Sequence, residues 1–100
     1  MVEIQQTSTF RHWLAALRDE QARIRVKMRI RRLKAGNPGD VRSVGGGISE
    51  MRIDYGPGYR VYFVRRSREA VTLLAGGDKD SQGRDIASVR RLARGLKEED

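Results

Sequence analysis

The spacing of apolar residues predicts a short strand and then a helix at the start of the chain. Residues 2–7 alternate between apolar and polar side chains over a stretch too short to stand alone, which is typical of an edge strand. Apolar residues then recur at helical spacing, and Ser8 or Thr9 can cap this first helix. The apolar stripe is formed by Phe10, Trp13, Leu14 and Leu17. We expect Trp13 to pack in the core, whereas His12 lies off the stripe and should be solvated.

The basic stretch that follows fits two periodicities. Residues 23–30 alternate strictly between charged and apolar side chains, which is the strand period. The same stretch also places apolar residues on one helical face, and it is longer than most strands, so we expect a helix capped by Asp19. Ile24 and Met28 would then point away from that face, toward the other helix or the sheet. Gly36, which tolerates the left-handed backbone conformation, should end the helix.

Three alternating segments in the second half of the chain predict strands. They cover residues 48–55, 59–66 and 70–75, and the short links between them imply antiparallel neighbours. The preceding glycine cluster, Gly45-Gly-Gly47, lacks the GxGxxG spacing and no helix follows it. We therefore interpret it as a turn or bulge and not as a nucleotide-binding loop.

A final amphipathic helix is predicted after the last strand. Asp80 or Ser81 can cap its start, and the acidic residues 98–100 oppose the helix dipole, so that end should fray. The apolar stripe of this helix consists of Ile86, Val89, Leu92, Ala93 and Leu96.

Charge narrows the classes of partner. Lysine and arginine number 21 against 13 aspartate and glutamate residues, which gives a formal net charge of +8. Because arginine binds phosphate bidentately and stacks on bases, this excess indicates a nucleic-acid partner ahead of a membrane. The chain has no cysteine and one histidine, which argues against disulfides, thiolate chemistry and a structural zinc site. The N-terminus has no long apolar run, so we expect neither a signal peptide nor a membrane span, and the cytoplasm is the expected compartment.

One turn and the strand after it carry the candidate chemistry. Pro57 between two glycines forces a tight turn, and Arg60 follows in the middle of a strand. Lys79 comes just after the last strand, so the two cations should lie on one small sheet. A charged residue in the middle of a strand needs a reason, and phosphate binding supplies one. The alternative for Arg60 is a structural salt bridge to Glu50 or Asp54.

At this point the ordered motifs resemble a known family. The pattern looks like the phage-derived addiction-module killer proteins of the RelE/ParE toxin superfamily, close to the HigB-type toxins. The resemblance covers nearly the whole chain, and its specificity comes from several motifs in order. These are Gly36-Asn-x-Gly-Asp40, Val44-Gly-Gly, Ser49-Glu-Met-Arg-Ile53, Gly56-Pro-Gly-Tyr-Arg-Val-Tyr-Phe63 and Leu74-Ala-Gly-Gly-Asp-Lys79-x-x-Gln82.

The resemblance implies a fold and a set of partners. The fold would be α+β and RelE-like over residues 1–100, with a short N-terminal strand, a helical hairpin, an antiparallel sheet and a C-terminal helix. The protein would be the toxin of a type II toxin–antitoxin system, neutralised by a small helix-turn-helix antitoxin. Many members of the superfamily cleave mRNA in the ribosomal A site, so the ribosome and mRNA are expected partners, with no membrane and no small-molecule cofactor.

The resemblance also implies catalytic residues. Arg60 matches the mid-sheet arginine of the mRNA-cleaving relatives and would clamp the scissile phosphate. Lys79 matches the basic residue after the last strand and would stabilise charge or act as acid or base. Arg52, on the adjacent strand, is a third candidate cation. Tyr62 shares the strand parity of Arg60 and is a candidate for stacking on a base or donating a proton.

RNA contacts are expected from two further places. The basic second helix would contact ribosomal RNA through Arg25, Arg29 and Arg32, although such a basic run is also typical of a solvated face. Gln82, together with Asp78, would orient Lys79 or contact the ribose.

Three hypotheses about function remain open from the sequence. The first is a metal-independent, ribosome-dependent endoribonuclease, which the net charge, Arg60 and Lys79 favour. The second is a ParE-like inhibitor of DNA gyrase. The third is an RNA-binding or antitoxin-binding module without catalytic activity.

Overall fold

The computed structural model describes residues 1–99, which form three helices and a five-stranded sheet. In chain order the elements are β1 (Glu3–Gln6), α1 (Ser8–Ala16), α2 (Glu20–Lys34), β2 (Val41–Ser43), β3 (Ile48–Ile53), β4 (Tyr59–Ser67), β5 (Ala70–Gly77) and α3 (Gln82–Glu99). The strands lie in the order β1-β5-β4-β3-β2. The predicted α+β class is confirmed, and the arrangement is compatible with a RelE-like fold.

The sheet is mixed, so the prediction of an antiparallel sheet is wrong at one edge. β1 runs parallel to β5, with Glu3 opposite Ala70 and Gln6 opposite Leu73. The other three pairings, β5 with β4, β4 with β3 and β3 with β2, are antiparallel. Parallel neighbours need a long connection, and two helices and three strands separate β1 from β5 along the chain. The edge position expected for residues 2–7 is confirmed.

The first helix is capped by Thr7 and not by Ser8 or Thr9. The Thr7 hydroxyl accepts a hydrogen bond from the Phe10 amide at 3.0 Å. It also donates one to the carbonyl of Leu74 in β5 at 2.6 Å. The predicted caps lie one and two residues too late because the contact with β5, which helps to place Thr7, leaves no local signal in the sequence.

The second helix resolves the double periodicity in favour of α. Asp19 is its N-cap, as predicted, and the carboxylate accepts hydrogen bonds from two amides of the first turn. Val26 and Leu33 are fully buried against the sheet. Ile24 and Met28 are 43% and 52% exposed, so the prediction that they turn toward the other helix or the sheet is wrong. Residues two positions from Val26 lie on the opposite side of a helix with 3.6 residues per turn.

A short strand that the periodicity did not predict lies between α2 and β3. Gly36 ends α2 with φ at 93°, as expected. β2 then pairs antiparallel with β3, and the glycine cluster forms the turn of this hairpin, where the Ile48 amide donates to the Gly45 carbonyl at 3.1 Å. Three residues are too few to show an alternating pattern, so it is the pairing with β3 that defines this strand.

Alternation along β4 sorts the core into two layers, one on each face of the sheet. Val61 and Phe63 face α1 and α2, whereas Tyr62 faces α3. A shift in register between β4 and β5 lets both Leu74 and Ala75 join the layer beneath α3. The two layers are centred on Phe10, Val26, Leu33, Met51, Val61 and Phe63, and on Ile48, Tyr62, Leu74, Val89 and Ala93.

Two glycines at the end of β5 allow close packing on both faces. A Cβ at Gly76 would lie 2.2 Å from the Trp13 ring, and a Cβ at Gly77 would lie 1.8 Å from the Asp85 carboxylate. Trp13 packs edge-on to Tyr59 and against the core, as predicted for this tryptophan. The tip of β5 is therefore held between α1 and the start of α3.

No helix within residues 1–99 combines the length and the apolar character needed to cross a membrane. α3 runs to Glu99, and Asp100, the last residue of the segment predicted to fray, lies outside the described residues.

Candidate functional site

Two arginines face each other across neighbouring strands at one end of the sheet. Arg52 of β3 and Arg60 of β4 are direct cross-strand partners, and Gly77 of β5 lies opposite Arg60 on the other side. Arg60 has the strand parity of Tyr62, so this row lies on the face that α3 covers. Like charges in directly opposite positions destabilise a sheet. The row therefore requires anions nearby, from the protein or from a ligand.

Arg60 is held against the sheet and does not extend into solvent. Its side chain is 11% exposed, and Nη1 donates a hydrogen bond to the Gly58 carbonyl at 2.7 Å. Nε lies 3.6 Å from Oε2 of Glu50, which is an ion pair but too long for a hydrogen bond. This Nε–H is buried and has no hydrogen-bond partner among residues 1–99. The guanidinium is thus positioned by a backbone carbonyl and a distant carboxylate.

Glu50 is the carboxylate beneath this row, and it is fully buried. Arg42 Nε donates to its Oε1 at 2.9 Å, and Gln82 Nε2 donates to its Oε2 at 2.9 Å. Burial alone would raise the pKa of Glu50, but the hydrogen bonds from Gln82 and Arg42 outweigh it, so the pKa lies below its usual value. Glu50 therefore stays ionised at neutral pH and links three strands to α3.

Tyr62 lies beneath α3 and has no exposed surface. Burial and the neighbouring Glu50 carboxylate raise its pKa well above the usual range for tyrosine. Its hydroxyl is buried beside the Glu50 carboxylate. A base could stack on this ring only if α3 moved away.

Arg52 occupies the open side of the row. Its Nη2 donates to Oδ1 of Asp40 at 2.9 Å, and both side chains are substantially exposed. Solvent screens an exposed pair of this kind, which contributes little to stability. The Arg52 guanidinium is thus available to exchange Asp40 for another anion. Together with Arg60 it lines a surface depression that also includes Asp54 and Gly58.

Lys79 comes to the same end of the sheet as Arg60. It is exposed on the turn between β5 and α3. A Cβ placed on Gly58 would lie 3.4 Å from Arg60 Nη1 and 3.6 Å from the Cβ of Lys79. Gly58 therefore lies between the Arg60 guanidinium and the Cβ of Lys79, which brings the two predicted residues to the same turn.

The turn that carries Lys79 is fixed by its neighbours. The Ser81 amide donates to Oδ1 of Asp78 at 3.0 Å, and the Asp78 amide donates to the Ser81 hydroxyl at 3.1 Å. Ser81 directly precedes α3, as expected for a residue at the helix start. Asp78 thus shapes the backbone on which Lys79 stands, while Gln82 is hydrogen-bonded to Glu50.

The three arginines predicted to bind RNA have different environments on the opposite face of the sheet. Arg25 stacks over the Tyr55 ring, with Cζ 4.6 Å from the ring centre. Arg29 donates to the carbonyls of Pro38, at 3.0 Å, and Arg52, so its guanidinium ties α2 to β3. Arg32 is exposed on the rim of a groove beside α2.

From the sequence, Glu50 is expected only as the alternative salt-bridge partner of Arg60, and Arg42 is not among the predicted site residues. One signal was present, because Glu50 has the parity of Arg52 along β3 and so faces the same side of the sheet. Its register opposite Tyr62 and its contact with Gln82 depend on the pairing of β3 with β4 and on the position of α3. Within residues 1–99, no cluster of three His, Asp or Glu side chains could hold a metal ion.

Comparison with known proteins gives the family. A family model described as "Phage derived protein Gp49-like (DUF891)" matches residues 12–97. The chain belongs to this family. Gp49-like proteins form a RelE-like toxin family of addiction modules, and they typically pair with an antitoxin. A relative from Haemophilus influenzae, an uncharacterized protein, is 45% identical over 95 residues, which span 95% of this chain and 96% of the relative. The matched region includes Arg52, Arg60 and Lys79.

Proposed function

We propose that this Gp49-like protein is the toxin of a type II toxin–antitoxin pair and cleaves mRNA on the ribosome, as HigB-type toxins of the superfamily would. The observation that carries the proposal is the cross-strand pair of Arg52 and Arg60, with Lys79 beside it across Gly58. Three cations at one end of a small sheet suit an RNA phosphodiester, whose single negative charge increases in the transition state of cleavage. Adjacent arginines suit this purpose because each guanidinium binds phosphate bidentately.

The reaction that fits these groups is transesterification within the RNA. The ribose 2′-oxygen attacks the adjacent phosphorus and loses its proton to a base, while the bond from phosphorus to the 5′-oxygen breaks. The products are a 2′,3′-cyclic phosphate and a 5′-hydroxyl, and the 5′-oxygen takes a proton from an acid. Cations aimed at the phosphoryl oxygens stabilise the extra negative charge of the transition state.

The side chains divide these tasks by position. Arg60, held by the Gly58 carbonyl, and Arg52 bind the phosphoryl oxygens. Lys79 is exposed and its amino group can act as a proton donor, so we assign it as the general acid that protonates the leaving 5′-oxygen. Two carboxylates line the same depression, Asp40 and Asp54. Asp40 is paired with Arg52, whereas Asp54 has no ion pair among the described residues, so Asp54 is the candidate base.

Two residues expected to touch RNA act beneath the site in this proposal. Tyr62 is buried, and its raised pKa makes it a poor base at neutral pH. Gln82 donates to Glu50 and so helps to hold the carboxylate that faces Arg60. Both would affect cleavage through the position of Arg60.

The test is cleavage of mRNA by purified toxin on programmed ribosomes, with the 5′ ends of the fragments mapped. Arg60→Ala should reduce the cleavage rate by about 10²–10³-fold, which is typical of removing one donor that stabilises transition-state charge. The cleavage rate of Arg60→Lys should lie between those of Arg60→Ala and the wild type, because lysine keeps the positive charge but lacks the planar guanidinium group. Arg68→Ala is the matched control, since Arg68 is an exposed arginine at the far hairpin tip.

The outcomes separate the candidate functions. Cleavage by Arg60→Ala at the wild-type rate, with the fold retained, would refute the role of Arg60. Growth arrest with intact mRNA and blocked supercoiling by DNA gyrase would favour the ParE-like alternative. If expression without the antitoxin is harmless and no cleavage occurs in vitro, the result would favour the third hypothesis, a binding module without catalytic activity.

A further inference from the structure

The exposed face of α2 carries an apolar pair without a partner in the fold. Ile24 and Met28 are 43% and 52% exposed, and in the described part of the chain only the terminal Met1 is another exposed large apolar residue. The two positions are four residues apart, so their side chains lie on one stripe of the helix. An isolated exposed apolar residue needs no explanation, but a pair in a groove indicates a contact surface.

The pair forms the floor of a groove between α2 and the end of β3. Arg25 and Arg32 lie on the helix side of this groove, and Ile53 and Asp54 lie on the sheet side. Arg29 also lines it, but its guanidinium is bound to backbone carbonyls. The groove thus combines an apolar centre with an excess of positive charge at its rim.

We propose that this α2 groove, defined by Ile24, Arg25, Met28, Arg32, Ile53 and Asp54, is the docking surface for an acidic amphipathic helix of the cognate antitoxin. An apolar stripe on that helix would cover Ile24 and Met28, in the helix-in-groove mode of recognition. Carboxylates flanking the stripe would pair with Arg25 and Arg32. The inference rests on the proposed toxin–antitoxin pairing, but it does not depend on RNA cleavage.

The chemistry of the groove favours this occupant over two others. RNA binding without sequence preference uses aromatic platforms for the bases, whereas the centre of this groove is aliphatic and Tyr55 is already covered by Arg25. A second copy of the chain would bring the same arginines into contact with each other, and like charges oppose such an interface. An acidic apolar helix complements both the floor and the rim.

The groove also borders the candidate active site. Ile53 and Asp54 line both the α2 groove and the depression that holds Arg52 and Arg60. Arg29 joins the two surfaces because it donates to the Arg52 carbonyl. A helix seated in the groove would therefore lie beside this depression, at the end of the sheet that carries Arg52 and Arg60, and would narrow the approach of mRNA.

The experiment measures binding of the purified antitoxin encoded beside this chain. Met28→Glu and Ile24→Glu should each weaken binding by at least about tenfold, because each adds a charge in an apolar contact. Ala87→Glu, an exposed helical position on α3, is the control for added negative charge. Arg32→Ala should weaken binding more than Lys27→Ala, since Lys27 is exposed on the same helix outside the groove.

Two further measurements separate this inference from the proposed function. Ribosomal cleavage by Met28→Glu alone should match the wild type, and added antitoxin should fail to neutralise it. Overlapping peptides of the antitoxin should identify a binding segment with net negative charge. The inference fails if Met28→Glu binds antitoxin as the wild type does, if that variant loses cleavage but keeps antitoxin binding, or if the binding peptide is neutral or basic.

Discussion

Replacing Glu50 by glutamine tests whether this one buried carboxylate holds the site together. Glutamine keeps the shape of the side chain but removes the charge that faces Arg42 and Arg60. One carboxylate oxygen of Glu50 is replaced by an amide NH₂, and where this NH₂ takes the place of Oε2 it faces the NH₂ of Gln82, so that two donors meet. Gln82 can relieve that conflict by turning its own amide over, because its oxygen can then accept. What remains is the loss of the ionic interaction with the two arginines.

The magnitude follows from how well water can replace Glu50 at each partner. Removing one member of a buried ion pair typically costs about 3–5 kcal/mol, because the other charge is left without compensation. Arg42 is 49% exposed and can turn to solvent, whereas Arg60 is 11% exposed and cannot do so without leaving its place. We therefore expect Glu50→Gln to lower the free energy of unfolding by about 2 kcal/mol, below that range. Glu50→Ala should cost more, since the two donors Arg42 and Gln82 then also lose their acceptor.

Urea denaturation at neutral pH measures this effect. A loss of about 2 kcal/mol should lower the midpoint by about 1 M with an unchanged slope, for a domain of this size. The pH dependence gives a second check. The folded-state pKa of Glu50 is lowered from 4.5, so its stabilisation is complete above about pH 4.5 and is lost as the pH falls through the folded value.

The wild type and Glu50→Gln should consequently converge in stability at acid pH. Equal stability at pH 7, or a difference that stays constant down to the acid transition, would refute the assignment of Glu50 as an ionised anchor. Cleavage should also fall in Glu50→Gln if Arg60 loses its position, with kcat reduced more than KM is raised. A drop in stability without any change in cleavage would confine Glu50 to the fold.

The remaining predictions concern packing and capping. Gly76→Ala should lower the free energy of unfolding by about 1–3 kcal/mol in a denaturation experiment, because the new methyl group would lie 2.2 Å from the Trp13 ring. Gly95→Ala is the contrast within α3, where an added Cβ would meet nothing within 4 Å beyond the nearby backbone of its own helix, and it should stabilise by about 0.5–1 kcal/mol. Thr7→Val should lower the melting temperature through the loss of about 1–2 kcal/mol from the α1 cap, whereas Thr7→Ser should stay near the wild type.

The sequence could predict those features that depend on neighbours along the chain. Asp19 and Gly36 mark the ends of α2 by local capping chemistry, and both behave as expected. Strand parity placed Arg60 and Tyr62 on one face, which the register confirms. The family resemblance agrees with the family match. The capping and parity predictions share one cause, since each of these features depends on backbone geometry within a few residues.

The errors have the opposite cause. Whether Ile24 and Met28 are covered depends on which elements pack around α2, and the burial of Tyr62 depends on where α3 lies. The parallel pairing of β1 with β5 joins residues that are far apart in the chain. The sequence pattern gives no sign that Glu50 is buried, because its burial depends on the packing of β2, β4 and α3 around it. Long-range contacts determine each of these features, so the local periodicity of the sequence cannot predict them.

The charge distribution around the arginine row supports the proposal that this row binds a further anion. Glu50 makes its hydrogen bonds with Arg42 and Gln82, and it approaches Arg60 only at 3.6 Å. Asp40 pairs with Arg52 in an exposed position, where solvent weakens the attraction. The fold thus orients both guanidiniums without neutralising them, although their direct opposition costs stability. Such a strained arrangement is expected where a ligand completes the charge balance, and a phosphate that bridges Arg52 and Arg60 would do so.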